Sequence, residues 1–308
     1  MKIISENLHI ISKNIKDAVI NRNEGFISDF IKRQAETNPD FIDLNIGPGK
    51  KALAGAMKWL SEIAVNITDI PLSFDSTNSD EIKDGLKIVK NSSKCIINST
   101  SADADRAEIL TTLAKEYDSN LIALTMNRET GIPKTADERL ELAFSVYETA
   151  SEKEISNEKL IFDPLILPVC VEQNQALQAL ESLRMFKESF DPPVKTVIGL
   201  SNISNGSPSE LRPLINKVFA VLAFGCGLNY VIADSFDKEL IRINKILETQ
   251  IPEKEYDKLY IDLSQMMTDF DDLENIGYDK SSEMQTKIFK TAEILLNKKI
   301  YSHSYTEI

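Results

Sequence analysis

Eight times along the chain a short apolar run ends on a polar residue and gives way to a stretch of helical period. The runs lie at residues 2–5 (KIIS), 41–45 (FIDLN), 71–75 (PLSFD), 95–99 (CIINS), 121–125 (LIALT), 160–164 (LIFDP), 196–201 (TVIGLS) and 230–234 (YVIAD). Each is rich in Ile, Val, Leu or Phe and bounded by Asp, Asn, Ser, Pro or Gly, as strands buried on both faces by covering helices must be. Between them, Phe26, Ile27, Phe30 and Ile31, and again Leu142, Val146 and Ala150, recur at helical spacing. Eight such units over roughly 250 residues predict a (β/α)8 TIM barrel. A doubly wound open sheet is the alternative, but eight regular units suit closure better. Nothing between the units resembles a linker, so residues 1–308 are read as one domain.

One segment breaks the rhythm. Residues 250–283 carry ten acidic residues against three lysines, with Tyr256, Tyr260, Phe270 and Tyr278 among them, before a last helical stretch, TAEILLNKK. The segment is read as an acidic, partly helical insertion outside the barrel, with a docking or oligomerisation surface as its functional reading. Its DFDDLENIGYD stretch has the composition of a calcium loop, but its acids and glycine miss the EF-hand positions.

Charge bounds the partners. The 35 Lys and Arg against 48 Asp and Glu leave a net charge of −13. Such a chain lacks the cationic surplus that phosphate contacts require, which argues against nucleic acid and anionic membrane. Cys95, Cys170 and Cys226 stand far apart without a CxxC pair, so they are read as free thiols in a reducing cytosol. The opening MKIISENLHI turns polar before an apolar leader forms, and the most apolar window, 219–228, is about half of a membrane span. Both readings favour a cytoplasmic protein.

In barrels of this kind the active site lies at the C-terminal ends of the strands. Those positions hold Glu6, Asp43 with Asn45, Asp75, Asn98, Thr125 with Asn127, Asp163, Asn202 and Asp234. Any one of them alone suits a turn or a helix cap. Eight in register predict a mouth lined by acids and amides. The only histidines are His9 and His303, so Ser-His-Asp and Cys-His machinery has at most one base near the mouth, His9. The GPGK at residues 47–50 lacks the GxxxxGK[ST] frame and is read as a turn. A sugar-binding mouth would want aromatic platforms, whereas the lone Trp59 falls mid-helix. Acids and amides suit a flat heterocycle that presents adjacent N–H donors beside a carbonyl, as pterins do, because a carboxylate accepts two parallel N–H bonds.

The motifs DLNIGP, DSTN, INST, LTMNRETGIP, DPLILP, GLSNIS, RPLIN and IADS together resemble those of the pterin-binding methyltransferases. They are most similar to the methyltetrahydrofolate:corrinoid/iron–sulfur protein methyltransferases of acetogenic anaerobes. The resemblance runs in order over residues 1–247 and resumes at TAEILLN. It implies a homodimeric barrel without a metal of its own, which moves the N5 methyl group of methyltetrahydrofolate to the Co(I) corrinoid (cobalamin) of a separate corrinoid protein. By motif, Asp75, Asn98 and Asp163 would hold the pterin edge, with Asp43, Asn45 and Glu6 in the same pocket. Asn202 would hydrogen-bond N5, and Arg212 would match an arginine of the family. The missing nucleophile then makes sense, since Co(I) attacks and the protein has only to position N5 and stabilise it as the C–N bond breaks.

The chain departs from the family in several places. Asn7 stands where an arginine is expected, Asn205 where a glutamine is, and the loop after Asn202 is long. Dihydropteroate synthase shares such a barrel, but it would need a basic site for pyrophosphate that the sequence does not clearly show. A folate-binding subunit without catalysis is the remaining alternative. An anionic folate tail would need local cations, for which Lys50, Lys51, Lys134 and Arg212 are the candidates.

Overall fold

The computed structural model describes residues 1–48 and 53–307. Eight parallel strands close into one barrel in sequence order. They are β1 (Lys2–Ser5), β2 (Phe41–Gly47), β3 (Leu72–Ser76), β4 (Ile96–Ser101), β5 (Asn120–Leu124), β6 (Leu160–Asp163), β7 (Lys195–Gly199) and β8 (Tyr230–Ala233). Closure is made by β1 against β8, with Ile3 opposite Val231 and Ser5 opposite Ala233. The barrel predicted from the eight apolar runs is therefore present, with strand bounds displaced by a residue or two. The open-sheet alternative is not what forms.

Helices alternate with the strands. The described residues form α1 (Lys13–Ile20), α2 (Glu24–Glu36), α3 (Ala56–Ile67), α4 (Ser79–Leu86), α5 (Ala104–Tyr117), α6 (Ala136–Glu152), α7 (Asn174–Ser189), α8 (Arg212–Gly225) and α9 (Lys238–Thr249). Two more, α10 (Asp257–Asp269) and α11 (Glu283–Leu295), follow the last barrel unit. Local chemistry sets several starts. Thr135 and Glu138 form a reciprocal capping box on α6, and Asp237 accepts from two amides at the start of α9.

The two-residue period of a strand sends alternate side chains inward and outward. On β2 the outward set is Ile42, Leu44 and Ile46, all fully buried against the helices. The inward set begins at Phe41, which meets Tyr230 edge-on at 6.0 Å. Ile4, Ile96, Ile122, Ile161 and Val197 complete this inner layer. Two residues further along β2, β4 and β6 the inward positions become Asp43, Asn98 and Asp163. Inside the barrel, β2, β4 and β6 thus turn polar at the C-terminal end, while β5 and β8 stay apolar there with Leu124 and Ile232.

The acidic segment packs closely on the barrel. Leu259, Tyr260, Leu263, Met266 and Met267 of α10 are buried in the same core as α8. A methyl group on Gly225 would collide with the Ser264 carbonyl, so glycine is what allows α8 and α10 to touch. Being covered on several sides explains why α8 is the most apolar stretch of the chain. No helix of the described residues is long and apolar enough to cross a membrane. No three His, Cys, Asp or Glu side chains among them are grouped to hold a metal ion, the DFDDLENIGYD stretch included. Of the GPGK turn, Gly49 and Lys50 lie outside the described residues, as does Lys51.

Candidate active site

At the C-terminal end of the barrel is an open cavity of roughly 470 Å³. Glu6, Asp43, Asn45, Asp75, Asn98, Asp163 and Asn202 all line it. Strand register explains how residues so far apart in sequence converge. Asn45 lies opposite Asp75 and Asp75 opposite Asn98, which makes one row across β2, β3 and β4. Leu124 lies opposite Asp163 across β5 and β6. The pairing is irregular between Asn45 and Gly47 and again between Asn98 and Thr100. Such bulges re-aim strand ends beside active sites.

Hydrogen bonds hold the row in place. The Asn45 amide donates to the Asp75 carboxylate, and Asn45 Oδ1 in turn accepts from the Gly47 amide at 3.0 Å. Asn98 Nδ2 donates to Asp43 Oδ1 at 3.4 Å. The Leu165 amide donates to Asp163 Oδ1 at 2.8 Å, with Leu165 itself in the left-handed region at φ 62°. A strained residue whose amide serves a buried carboxylate is the kind of feature that clusters at active sites. Asn202 sits on a 3-10 turn, Leu200–Ser204, that leaves β7 directly. A methyl group on Gly199 would lie 3.0 Å from Asn202 Nδ2, so glycine makes room for that amide.

The electrostatics are unusual for four carboxyl groups in one cavity. No Lys or Arg among the described residues lines it. Burial pushes Glu6 up to about 7; the Ser201 hydroxyl restrains the rise, and the charges of Asp43 and Asp234 add to it. Burial also raises Asp43 and, together with the Asp43 charge, Asp75. Asp163 is pushed up to about 7 by burial, against the pull of the Leu165 amide and Arg139. Desolvation disfavours each charged form, and at Glu6 and Asp75 neighbouring acids disfavour it further.

Two arginines behind the wall oppose this. Arg106 on α5 donates to the carbonyls of Ser99 at 3.1 Å and Thr77 at 2.7 Å, and its charge draws Asp75 down. Arg139 on α6 is fully buried, donates to Gln175 Oε1 at 2.6 Å, and leaves Nε and Nη1 without a partner among the described residues.

Not every sequence candidate belongs to the cavity. Arg212 opens α8, donates from Nε to the Ser207 carbonyl at 2.8 Å, and does not line the cavity. A helix N-terminus near the mouth explains the misplacement, because position along the chain says nothing about the direction of a long side chain. Lys134 is likewise absent from the lining. Asn127 folds back on its own turn to accept from Thr130, and Thr125 donates to the Asp163 carbonyl. Asp234 caps locally, accepting from Phe236 and from Asn7.

The residues that strand-end reasoning missed are Ile11, Ser99, Leu124, Ser201 and Ile232. Leu124 and Ile232 were within reach of the two-residue period, since Ile232 points the same way as Tyr230 below it. Ile11 and His9 reach the mouth because the chain after β1 pairs with Asn45, the Asn45 amide donating to the Leu8 carbonyl at 3.1 Å. Nothing local signals that pairing.

Residues 34–234 match the family described as pterin binding enzyme. A methylcorrinoid:tetrahydrofolate methyltransferase of Eubacterium limosum is 26% identical over 243 residues, or 78% of this chain and 88% of that protein. A methionine synthase of Mycobacterium tuberculosis is 26% identical over 250 residues; there the match takes in 78% of this chain but only 20% of the longer relative. Among solved structures, a dihydropteroate synthase of Yersinia pestis with a pterine–sulfa conjugate superposes with a TM-score of 0.54 at 16% identity, over 71% of this chain and 85% of that one. The last likeness is one of fold. The resemblance read from the strand-end motifs is borne out: the chain belongs to the pterin binding enzyme family and is a methyltransferase.

Proposed function

We propose that this protein moves a methyl group between N5 of methyltetrahydrofolate and the Co(I) corrinoid of a separate corrinoid protein. What supports the reading most is a mouth of carboxylates and amides that contains Asn202, whose side-chain amide has no hydrogen-bond partner among the described residues. Asp75, Asn98 and Asp163 are the groups to accept and donate along the pterin edge, with Asn45 and Asp43 fixing their orientation. Asn202 donates its hydrogen bond to N5 as the C–N bond breaks. That bond strengthens as charge develops, so it acts on the transition state more than on binding. The mouth offers no Lys or Cys nucleophile among the described residues. The attacking centre then comes from the partner, and the chain contributes orientation and a dry, polar cradle.

The same reading takes residues 1–308 as one pterin-binding unit, working as a cytoplasmic homodimer in an anaerobic setting and carrying no metal of its own. Arg212 remains a proposed folate contact only through movement of its loop. The test is anaerobic transfer from methyltetrahydrofolate to free Co(I) cobalamin, followed by cobalt absorbance, with folate binding titrated in parallel. Transfer is the expected result. Tight folate binding without transfer, even with added corrinoid proteins, would favour a binding subunit. No folate binding would remove the pterin reading, and turnover of a pterin pyrophosphate would favour a dihydropteroate synthase.

A further inference from the structure

Asn202 can donate a hydrogen bond to N5, but an amide has no proton to give up at neutral pH. Departure of the methyl group leaves the bonding pair on N5, which must then be protonated. The structure puts an acid beside the turn that carries Asn202. Ser201, the neighbour of Asn202 on the turn after β7, donates from Oγ to Glu6 Oε2 at 3.3 Å, and all three residues line the cavity.

We propose that Glu6 is the proton reservoir for N5 and that the hydroxyl of Ser201 relays the proton. This rests on the methyl-transfer reading above. Co(I) supplies the electron pair for the new Co–C bond, and the C–N pair stays on N5. N5 takes the hydroxyl proton of Ser201, which takes the carboxyl proton of Glu6. The products are methyl-Co(III), tetrahydrofolate with N5–H, and the Glu6 carboxylate. In the reverse direction Glu6 is the base. When Glu6 is protonated it becomes the donor of the Glu6–Ser201 hydrogen bond, so the relay needs no change of partners.

The surroundings keep a proton on Glu6 at working pH. Asp43 faces it from β2 and Asp234 from the end of β8, and both push it up, while Ser201 meets it from beyond β7. Burial lowers His9, also in the cavity wall, which disfavours its charged form. Asn7 matters here. Its Nδ2 donates to Asp234 Oδ1 at 2.6 Å, and its Oδ1 accepts from the Ser235 amide at 3.1 Å. Asp234 is thereby held in place but not neutralised. An arginine at position 7 would put a positive charge beside Asp234 and weaken its hold on the Glu6 proton. The unexpected asparagine thus accounts for part of the tight hold on the Glu6 proton.

The experiment is the single-turnover rate of methyl transfer to Co(I) cobalamin against pH, at saturating methyltetrahydrofolate, for the full chain and the variants E6Q, S201A and N7R. Saturation keeps protonation of Asp163, which acts on binding, out of the rate. Wild type is expected to slow above about pH 7. E6Q is expected to be about 100-fold slower at pH 6.5 and to lose that alkaline limb, with folate affinity changed far less. S201A is expected to slow transfer while leaving affinity intact. N7R is expected to move the limb about one unit lower, a shift that a merely structural role would not produce. If wild type transfers methyl and E6Q keeps the wild-type profile, the reservoir is not Glu6. An N7R profile that does not move overturns the electrostatic part. If E6Q does not fold, S201A and N7R decide the question. Absence of transfer by wild type would instead overturn the methyl-transfer reading itself, and the relay with it.

Discussion

Two regions of this molecule are rich in acids, and they treat them in opposite ways. Where the extension that holds α10 meets α9, the buried acids are satisfied. Arg242 grips Asp257 with both guanidinium arms, at 2.6 and 2.8 Å, and reaches Glu239 at 2.7 Å. Lys254 adds a contact to Glu239 at 2.9 Å and Tyr256 one at 3.1 Å. Arg242 and its neighbours hold Glu239 down to about 2. At Asp257, burial pulls upward and is outweighed by Arg242 and the amides of Lys254 and Glu253. In the barrel mouth, Glu6, Asp43, Asp75 and Asp163 are all raised, and no cation among the described residues enters the cavity. Residue type alone therefore does not separate structure from function. Whether the hydrogen bonds and charges are already supplied from within does. The extension is complete as it stands, and the mouth awaits N–H donors from outside.

The largest expected effect is on the satisfied side. Arg242→Ala leaves Asp257, whose side chain is 0% exposed, as a buried charge without its partner. It should lower stability by about 3 kcal/mol in denaturant unfolding, with folate affinity unchanged. A loss of affinity would mean that the two regions are coupled. Next, Asp163→Asn should weaken pterin binding about 100-fold, because an amide cannot accept two parallel N–H bonds. The wild-type affinity should also fall about tenfold per pH unit below 7, where Asp163 takes up a proton, and the variant should lose that slope. Unchanged affinity in a calorimetric titration would take Asp163 out of the site. Asn202→Ala should slow transfer about 30-fold with a smaller change in binding, and equal losses in both would contradict its role at N5.

The smallest effect tests the contrast directly. A raised carboxyl costs stability above its folded value and is relieved as the pH falls toward its unfolded value. A depressed carboxyl contributes stability above its unfolded value and loses it as the pH falls further. Between pH 8 and 5 the mouth should therefore dominate, and the folate-free protein should gain stability as the pH drops. Below about 4.5 the extension should lose its support. Melting curves across pH would show a maximum near pH 5, and a monotonic fall from pH 8 would break the comparison. Saturating folate should flatten the upper half of the curve.

Much of this was legible in the chain. Buried parallel strands must be apolar and short, and helices must separate them, so the barrel followed from eight runs and their spacing. Asp43, Asn45, Asp75, Asn98 and Asp163 were legible because a strand end in a barrel has one place to point. Arg106 and Arg139 were not, since they act on the mouth from behind its wall, from helices whose rotation about their axes depends on packing. Arg212 was misplaced for the same reason. The pairing of Ser201 with Glu6 joins residues 195 apart and exists only because closure brings β7 and β1 to either side of β8.

The close approach of Gly225 to Ser264 has a practical consequence. The turn bearing Asn202 leads into α8, and the far flank of α8 is roofed by α10. Cutting the gene after residue 249 to obtain a tidy minimal barrel would strip that roof. The apolar surface of α8 around Gly225, shielded in the intact chain, would then meet water on the helix that follows the active turn. The stretch that looks most like an appendage in the sequence is the one a protein engineer can least afford to trim.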